Sequence, residues 1–144
     1  MKIIKTIIFI LPIIFGIVPD CEAMKPKNEE YTIENLLDAI AIKESNGDSN
    51  AVGDNGRALG AFQIWEIYVK DVNRILGEKA FKNTDRLDYY KSRTMTKIYL
   101  EHYGKGKSLF DMARIHNGGL NGCKKEATRK YAEAVIKIMK SKEN

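Results

Sequence analysis

The sequence predicts a mainly α domain of about five helices, with a glycine-rich loop or small β-hairpin after the first. Three observations predict it. Apolar residues recur at three-and-four spacing in successive segments of helical length. Glycines close most of those segments. The one long interval without that period, residues 46–60, carries Gly47, Gly53, Gly56 and Gly60 among Asn, Asp and Ser residues.

In chain order, residues 1–23 combine a basic start at Lys2 and Lys5, an apolar run broken by Pro12 and Gly16, and a small-residue end at Cys21-Glu22-Ala23. This is the pattern of a secretory signal peptide, too short for the roughly 20 apolar residues that span a bilayer. The expected product is secreted, extracellular or periplasmic in a Gram-negative host, without stable membrane insertion. Its removal leaves about 120 residues and one cysteine, Cys123. One domain is expected, held by an apolar core and not by internal disulfides. Residues 24–30 form a polar lead-in containing Pro26, and residues 31–144 the folded domain.

The first helix starts after Thr32, a capping residue, and carries Ile33, Leu36, Leu37, Ile40 and Ala41 on one face. The loop follows, with a turn expected at Asp54-Asn55-Gly56. Residues 61–76 return to helical spacing through Ile64, Ile67, Tyr68, Val72, Ile75 and Leu76, and Gly77 stops them. Residues 85–103 place Leu87, Thr94, Met95, Ile98 and His102 together, before Gly104. Ser108 and Asp111 resemble a capping box for a short helix that Asn117-Gly118-Gly119 ends. The last helix, residues 124–139, turns Ala127, Tyr131, Ala134, Val135 and Ile138 inward and most of its Lys and Arg residues outward.

Glu44 follows Ile40 by four residues and Leu37 by seven, which points a carboxyl group along the apolar stripe of the first helix. Desolvation there disfavours the charged form, so Glu44 is expected to be a protonated general acid. Asp54, ten residues on and among polar loop residues, is expected to stay charged. Two carboxyl groups in unlike environments are what glycoside hydrolysis uses. Spacing alone equally allows Glu44 to be a solvated residue at a helix end and Asp54 a turn former.

The net charge of +5, from 24 basic and 19 acidic residues, favours an anionic partner: nucleic acid, acidic lipid or acidic wall polymer. The lysines of the last helix form a solvated face without interleaved aromatics, which argues against nucleic acid. Two histidines, His102 and His116, are too few for a metal site, and no cofactor is expected. Cys123 has no base beside it in the sequence and reads as a packed residue. Trp65, Tyr68, Tyr89 and Tyr90 are candidates for stacking on sugars, against core packing as the alternative.

Three blocks carry a family likeness: Glu44-Ser45, then Gly60-Ala61-Phe62-Gln63-Ile64, then the run from Ala113 through Arg114-Ile115-His116-Asn117-Gly118-Gly119 to Asn121-Gly122-Cys123. In this order the chain resembles the invertebrate-type lysozymes and their bacterial relatives, within the lysozyme-like superfamily that includes lytic transglycosylases. The resemblance implies a lysozyme-like fold. It also implies a monomeric lysozyme cleaving the β-1,4 bond between N-acetylmuramic acid and N-acetylglucosamine of peptidoglycan glycan strands. Glu44 then matches the catalytic acid and Asp54 the second carboxylate, with Ser45, Gln63, His116 and Asn117 as substrate-binding residues. His116-Asn117 stands where lytic transglycosylases carry Tyr-Asn, which places His116 within reach of Glu44.

The chain departs from the invertebrate type in lacking disulfides, in a shorter loop to Asp54, and in having no serine at residues 55–59, so no isopeptidase activity is expected. Two rival readings share the resemblance. One is a lytic transglycosylase, a lyase that uses the muramyl 6-hydroxyl in place of water and needs one carboxylic acid. The other is an inactive wall-binding or inhibitory protein.

Overall fold

The computed structural model describes residues 31–141, and the expected signal peptide and lead-in lie outside them. The fold is mainly helical, with α1 (Ile33–Ser45), α2 (Glu66–Leu76), α3 (Tyr89–Tyr103), α4 (Leu109–Gly118) and α5 (Ala127–Ser141). A two-stranded antiparallel hairpin, β1 (Val52–Gly53) and β2 (Ala58–Leu59), stands between α1 and α2 with Val52 opposite Leu59 and Gly53 opposite Ala58. Its turn runs through Asp54, Asn55 and Gly56, all at positive φ. Among the described residues no helix is long and apolar enough to cross a membrane.

Helix α1 lies at the centre: Leu36, Leu37, Ala39 and Ile40 are fully buried, and α3, α4 and α5 all pack against it. Its start is fixed by Thr32, whose hydroxyl accepts from Asn35 N while the Asn35 side chain accepts from Thr32 N. Its end is set by Asn46, left-handed at φ 58°, whose N–H bonds back to Ile42 O. Phe62, Ile64, Met95, Leu100 and Ile115 complete a continuous core. Burying each such side chain contributes about 1.5–3 kcal/mol, so the domain has an apolar interior to stand in for staples.

Three helix boundaries differ from the expected ones, each for a local reason. Helix α2 begins at Glu66 and not at residue 61, because Gln63 takes φ 46° and Ile64 forms a bridge to Leu59. A 3-10 turn over Asn83–Leu87 delays α3 until Asp88, which accepts from Lys91 N, can cap it. Another, Gly119–Lys124, delays α5 until Ala127.

Inward faces differ as well. Ile67 is 60 % exposed and Leu87 41 %. Thr94, His102 and Ala127 also face solvent, while Ser92, Thr96 and Thr128 are buried instead. Those hydroxyls bond carbonyls of their own turn, Thr96 Oγ1 to Ser92 O at 2.9 Å and Thr128 Oγ1 to Lys125 O at 2.8 Å, which removes the cost of burying them.

Two arginines are also interior. Arg86, 5 % exposed, donates to the carbonyls of Asn83, Arg57 and Ile64, fastening the hairpin to the segment before α3. Gly60 lies so close that an added Cβ would stand 1.8 Å from Arg86 O, and its φ of 76° suits glycine alone. Arg114 donates to Thr128 Oγ1 and Lys125 O, tying α4 to the start of α5.

Candidate active site

A cleft of about 510 Å³ opens between the hairpin and α2 on one side and the end of α4 on the other. This size suits a ligand that is gripped and not merely touched. Its lining includes Glu44, Asp54, Gln63, Trp65, Tyr68, His116 and Asn117.

Glu44 enters from the last turn of α1 with its side chain 19 % exposed. Two groups address one of its oxygens: Tyr131 of α5 donates its hydroxyl to Oε1 at 2.6 Å, and His116 Nε2 of α4 stands 3.5 Å from the same atom. Among the described residues Oε2 has no hydrogen-bond partner, and it is not sealed from solvent. Glu44 therefore has one anchored oxygen and one free oxygen. This is the arrangement an acid or base needs to act on a bound ligand without losing its orientation.

The expectation that Glu44 stays uncharged needs correction. Burial does push its pKa up, but the hydrogen bond and charge of His116, the Tyr131 hydroxyl and the nearby Lys43 outweigh it and hold the carboxyl below its ordinary value. The ligand-free site favours the carboxylate. Burial, and next the neighbouring Glu44 carboxylate, push the Tyr131 phenol well above its ordinary value.

Asp54 lies on the rim of the same cleft and in a different setting. Its side chain is 39 % exposed and accepts from the Arg57 guanidinium at 2.9 Å, and Arg57 in turn lies over the Trp65 ring at 4.5 Å. Its backbone is left-handed at φ 51°, as the turn requires.

The remaining expected residues divide. Gln63 lines the cleft, but its amide nitrogen donates inward to Gly60 O and Ala51 O, bracing the hairpin base. Gly53 makes room for it, since a Cβ there would meet Gln63 Oε1 at 2.1 Å. Asn117 is exposed on the lining. Ser45 is not among the lining residues: its hydroxyl donates to Ala61 O at 3.0 Å and ties the end of α1 to the segment before α2.

Among the aromatics, Trp65 and Tyr68 line the cleft, whereas Tyr89 packs on Phe62 and Tyr90 is 79 % exposed. Cys123 is free, with its thiol against Asp111 O at 3.7 Å. No group of three or more His, Cys, Asp or Glu residues is placed to hold a metal among the described residues.

Tyr131 is the site residue that sequence reasoning missed. It reads as one more inward apolar position of α5, and no local signal ties it to Glu44, 87 residues earlier.

No curated protein matches the chain. The family model described as a transglycosylase SLT domain matches residues 22–139.

Proposed function

Because the chain belongs to the transglycosylase SLT family, within the lysozyme-like superfamily, we propose that it is a lytic transglycosylase of peptidoglycan that works with Glu44 as its one acid and base. The observation that carries this reading is the inequality of the two carboxyl groups. Glu44 is recessed, anchored at Oε1 and free at Oε2. Asp54 is half-exposed and already paired with Arg57.

In this mechanism Glu44, charged with a proton once the glycan covers it, gives that proton to the glycosidic oxygen as the bond to muramyl C1 breaks. The resulting carboxylate takes the proton of the muramyl 6-hydroxyl as that oxygen bonds C1. The electron pair of the broken bond leaves with the N-acetylglucosamine oxygen, and the product carries a 1,6-anhydromuramyl end. No water is consumed, and Glu44 ends as it began. Tyr131 and His116 hold the carboxyl in place, Trp65 offers a flat face to a sugar ring, and Asn117 a polar contact. Action outside the cytoplasm is part of the same proposal, through the signal peptide read in residues 1–23.

Mass spectrometry of digested peptidoglycan tests it. Anhydromuramyl ends are expected from the wild type, with a fall of at least about 10²-fold in Glu44→Gln, the usual worth of a positioned acid. Asp54→Asn is expected to retain activity within about threefold, because nothing in this mechanism passes through Asp54. Reducing ends, together with loss of activity in Asp54→Asn, would instead establish a two-carboxylate hydrolase of the lysozyme kind. The position of Asp54 on the same cleft is the observation favouring that second reading.

A further inference from the structure

The cleft continues past the reacting carboxyl to an end that the proposed mechanism does not use. There α2 and α3 bring Ile67, Asp71 and Tyr99 to the lining. Tyr68 joins this end to the centre: its ring meets His116 edge-on at 5.9 Å and stacks on Tyr99 at 3.9 Å. Resting on the reading that peptidoglycan is the substrate, we propose that Asp71 and Tyr99 form a subsite that binds a primary ammonium group of the wall polymer.

Two oxygens carry the proposal. Tyr99 is 4 % exposed, yet its hydroxyl is not sealed from solvent and has no hydrogen-bond partner among the described residues. A polar atom on so enclosed a ring is normally met by a partner, here one that enters through the cleft. Asp71, its side chain 25 % exposed, spends Oδ1 on Arg74 at 2.8 Å and has no partner for Oδ2 among the described residues. Arg74 is 63 % exposed, is also bonded to the Tyr103 hydroxyl and is not part of the lining, so pairing withdraws one oxygen from the cleft and leaves the other. Burial, and next the charge of Asp71, push the Tyr99 phenol up to about 12. The two groups are therefore near one another, but no hydrogen bond joins them. A donor placed between them satisfies both oxygens.

The sign of the charge selects that donor. Among the described residues the cleft lining includes Glu44, Asp54 and Asp71 but no Lys or Arg, although the chain as a whole carries +5. A wall carboxylate is repelled there. A sugar hydroxyl can meet one oxygen but makes no use of the charge. An ammonium has three donors and the charge to engage both acceptors. Peptidoglycan can offer this group in two places: the second amine of a stem-peptide diamino acid that is not cross-linked, and the amine of a glucosamine that has lost its acetyl group. Ile67, 60 % exposed, and the Tyr68 ring supply an apolar flank for the carbons that bear either amine.

The experiment compares kcat/KM on soluble wall fragments with free amines and on the same fragments after N-acetylation. One pair of substrates carries stem peptides, and the other is peptide-free glycan with part of its glucosamine de-N-acetylated. In at least one pair the wild type is expected to favour the free amine by about three- to tenfold, the range for a charged hydrogen bond at a partly exposed site. The pair that shows the preference identifies the source of the amine. The net charge of +5 would by itself favour the acetylated, more anionic material, so the expected preference runs against it. Asp71→Asn should bring the ratio within about twofold of one, and Tyr99→Phe should lower it part of the way. Each ratio is taken within one protein, so a partial loss of folded molecules cancels. A wild-type ratio within about twofold of one in both pairs, or a ratio that Asp71→Asn leaves unchanged, would overturn the proposal. Calorimetric Kd values for the same fragments on Glu44→Gln read the preference without turnover. Product ends scored in the same digests decide the lytic reading separately: reducing ends with the preference intact would remove that reading and keep the subsite.

Discussion

Replacing Tyr131 by Phe removes one hydroxyl and keeps the ring, so packing on α5 is preserved while Glu44 Oε1 loses its 2.6 Å donor. A hydrogen bond to a charged group contributes about 1.5–3 kcal/mol, and one to a neutral carboxyl nearer 1 kcal/mol. The sign of the pH dependence follows from the direction of the Glu44 shift. A carboxyl whose folded-state pKa is lowered adds stability above the unfolded value, about 4.3 for glutamate, and that stability fades as pH falls through the folded value. Tyr131→Phe is therefore expected to unfold about 1.5–3 kcal/mol more easily than wild type at pH 7, with the gap narrowing to about 1 kcal/mol or less once Glu44 is protonated. Urea unfolding at a series of pH values from about 7 downward measures this, and the Glu44 carboxyl titration should move upward in the variant. A gap that stays constant with pH, or widens toward acid, would refute the claim that Tyr131 stabilises the charged form.

Other consequences can be measured in parallel. Arg86→Ala should cost about 2–4 kcal/mol in the same unfolding assay, because three carbonyls lose a buried donor; a change under about 0.5 kcal/mol would mean that water replaces it. Trp65→Ala should raise KM several-fold, with kcat held within about threefold, if the ring is a sugar platform; a kcat loss at constant KM would place it in the reacting geometry instead. The product ends of Asp54→Asn, expected to stay anhydromuramyl, complete the set.

Much of this fold could be read from residue order because its dominant signals are local. Thr32, the apolar stripe and Asn46 bound α1, and the same spacing that buries Leu37 and Ile40 delivers Glu44 to the cleft. Gly53 and Gly56 mark the hairpin for similarly local reasons. What escaped was set by distant partners. The burial of Arg86 depends on the carbonyls of Arg57 and Ile64, 29 and 22 residues earlier, which no local pattern brings to it. The charge of Glu44 was misjudged for the same reason. Desolvation was visible in its position on α1, but the donors that outweigh it come from α4 and α5.

That both donors stand on the last two helices links the setting of Glu44 to the completion of folding. A chain with its first hundred residues in native order would present Glu44 without the groups that orient it. Glu44 has both donors only when α4 and α5 are docked against α1, so the orientation of this carboxyl depends on the far end of the chain being in place.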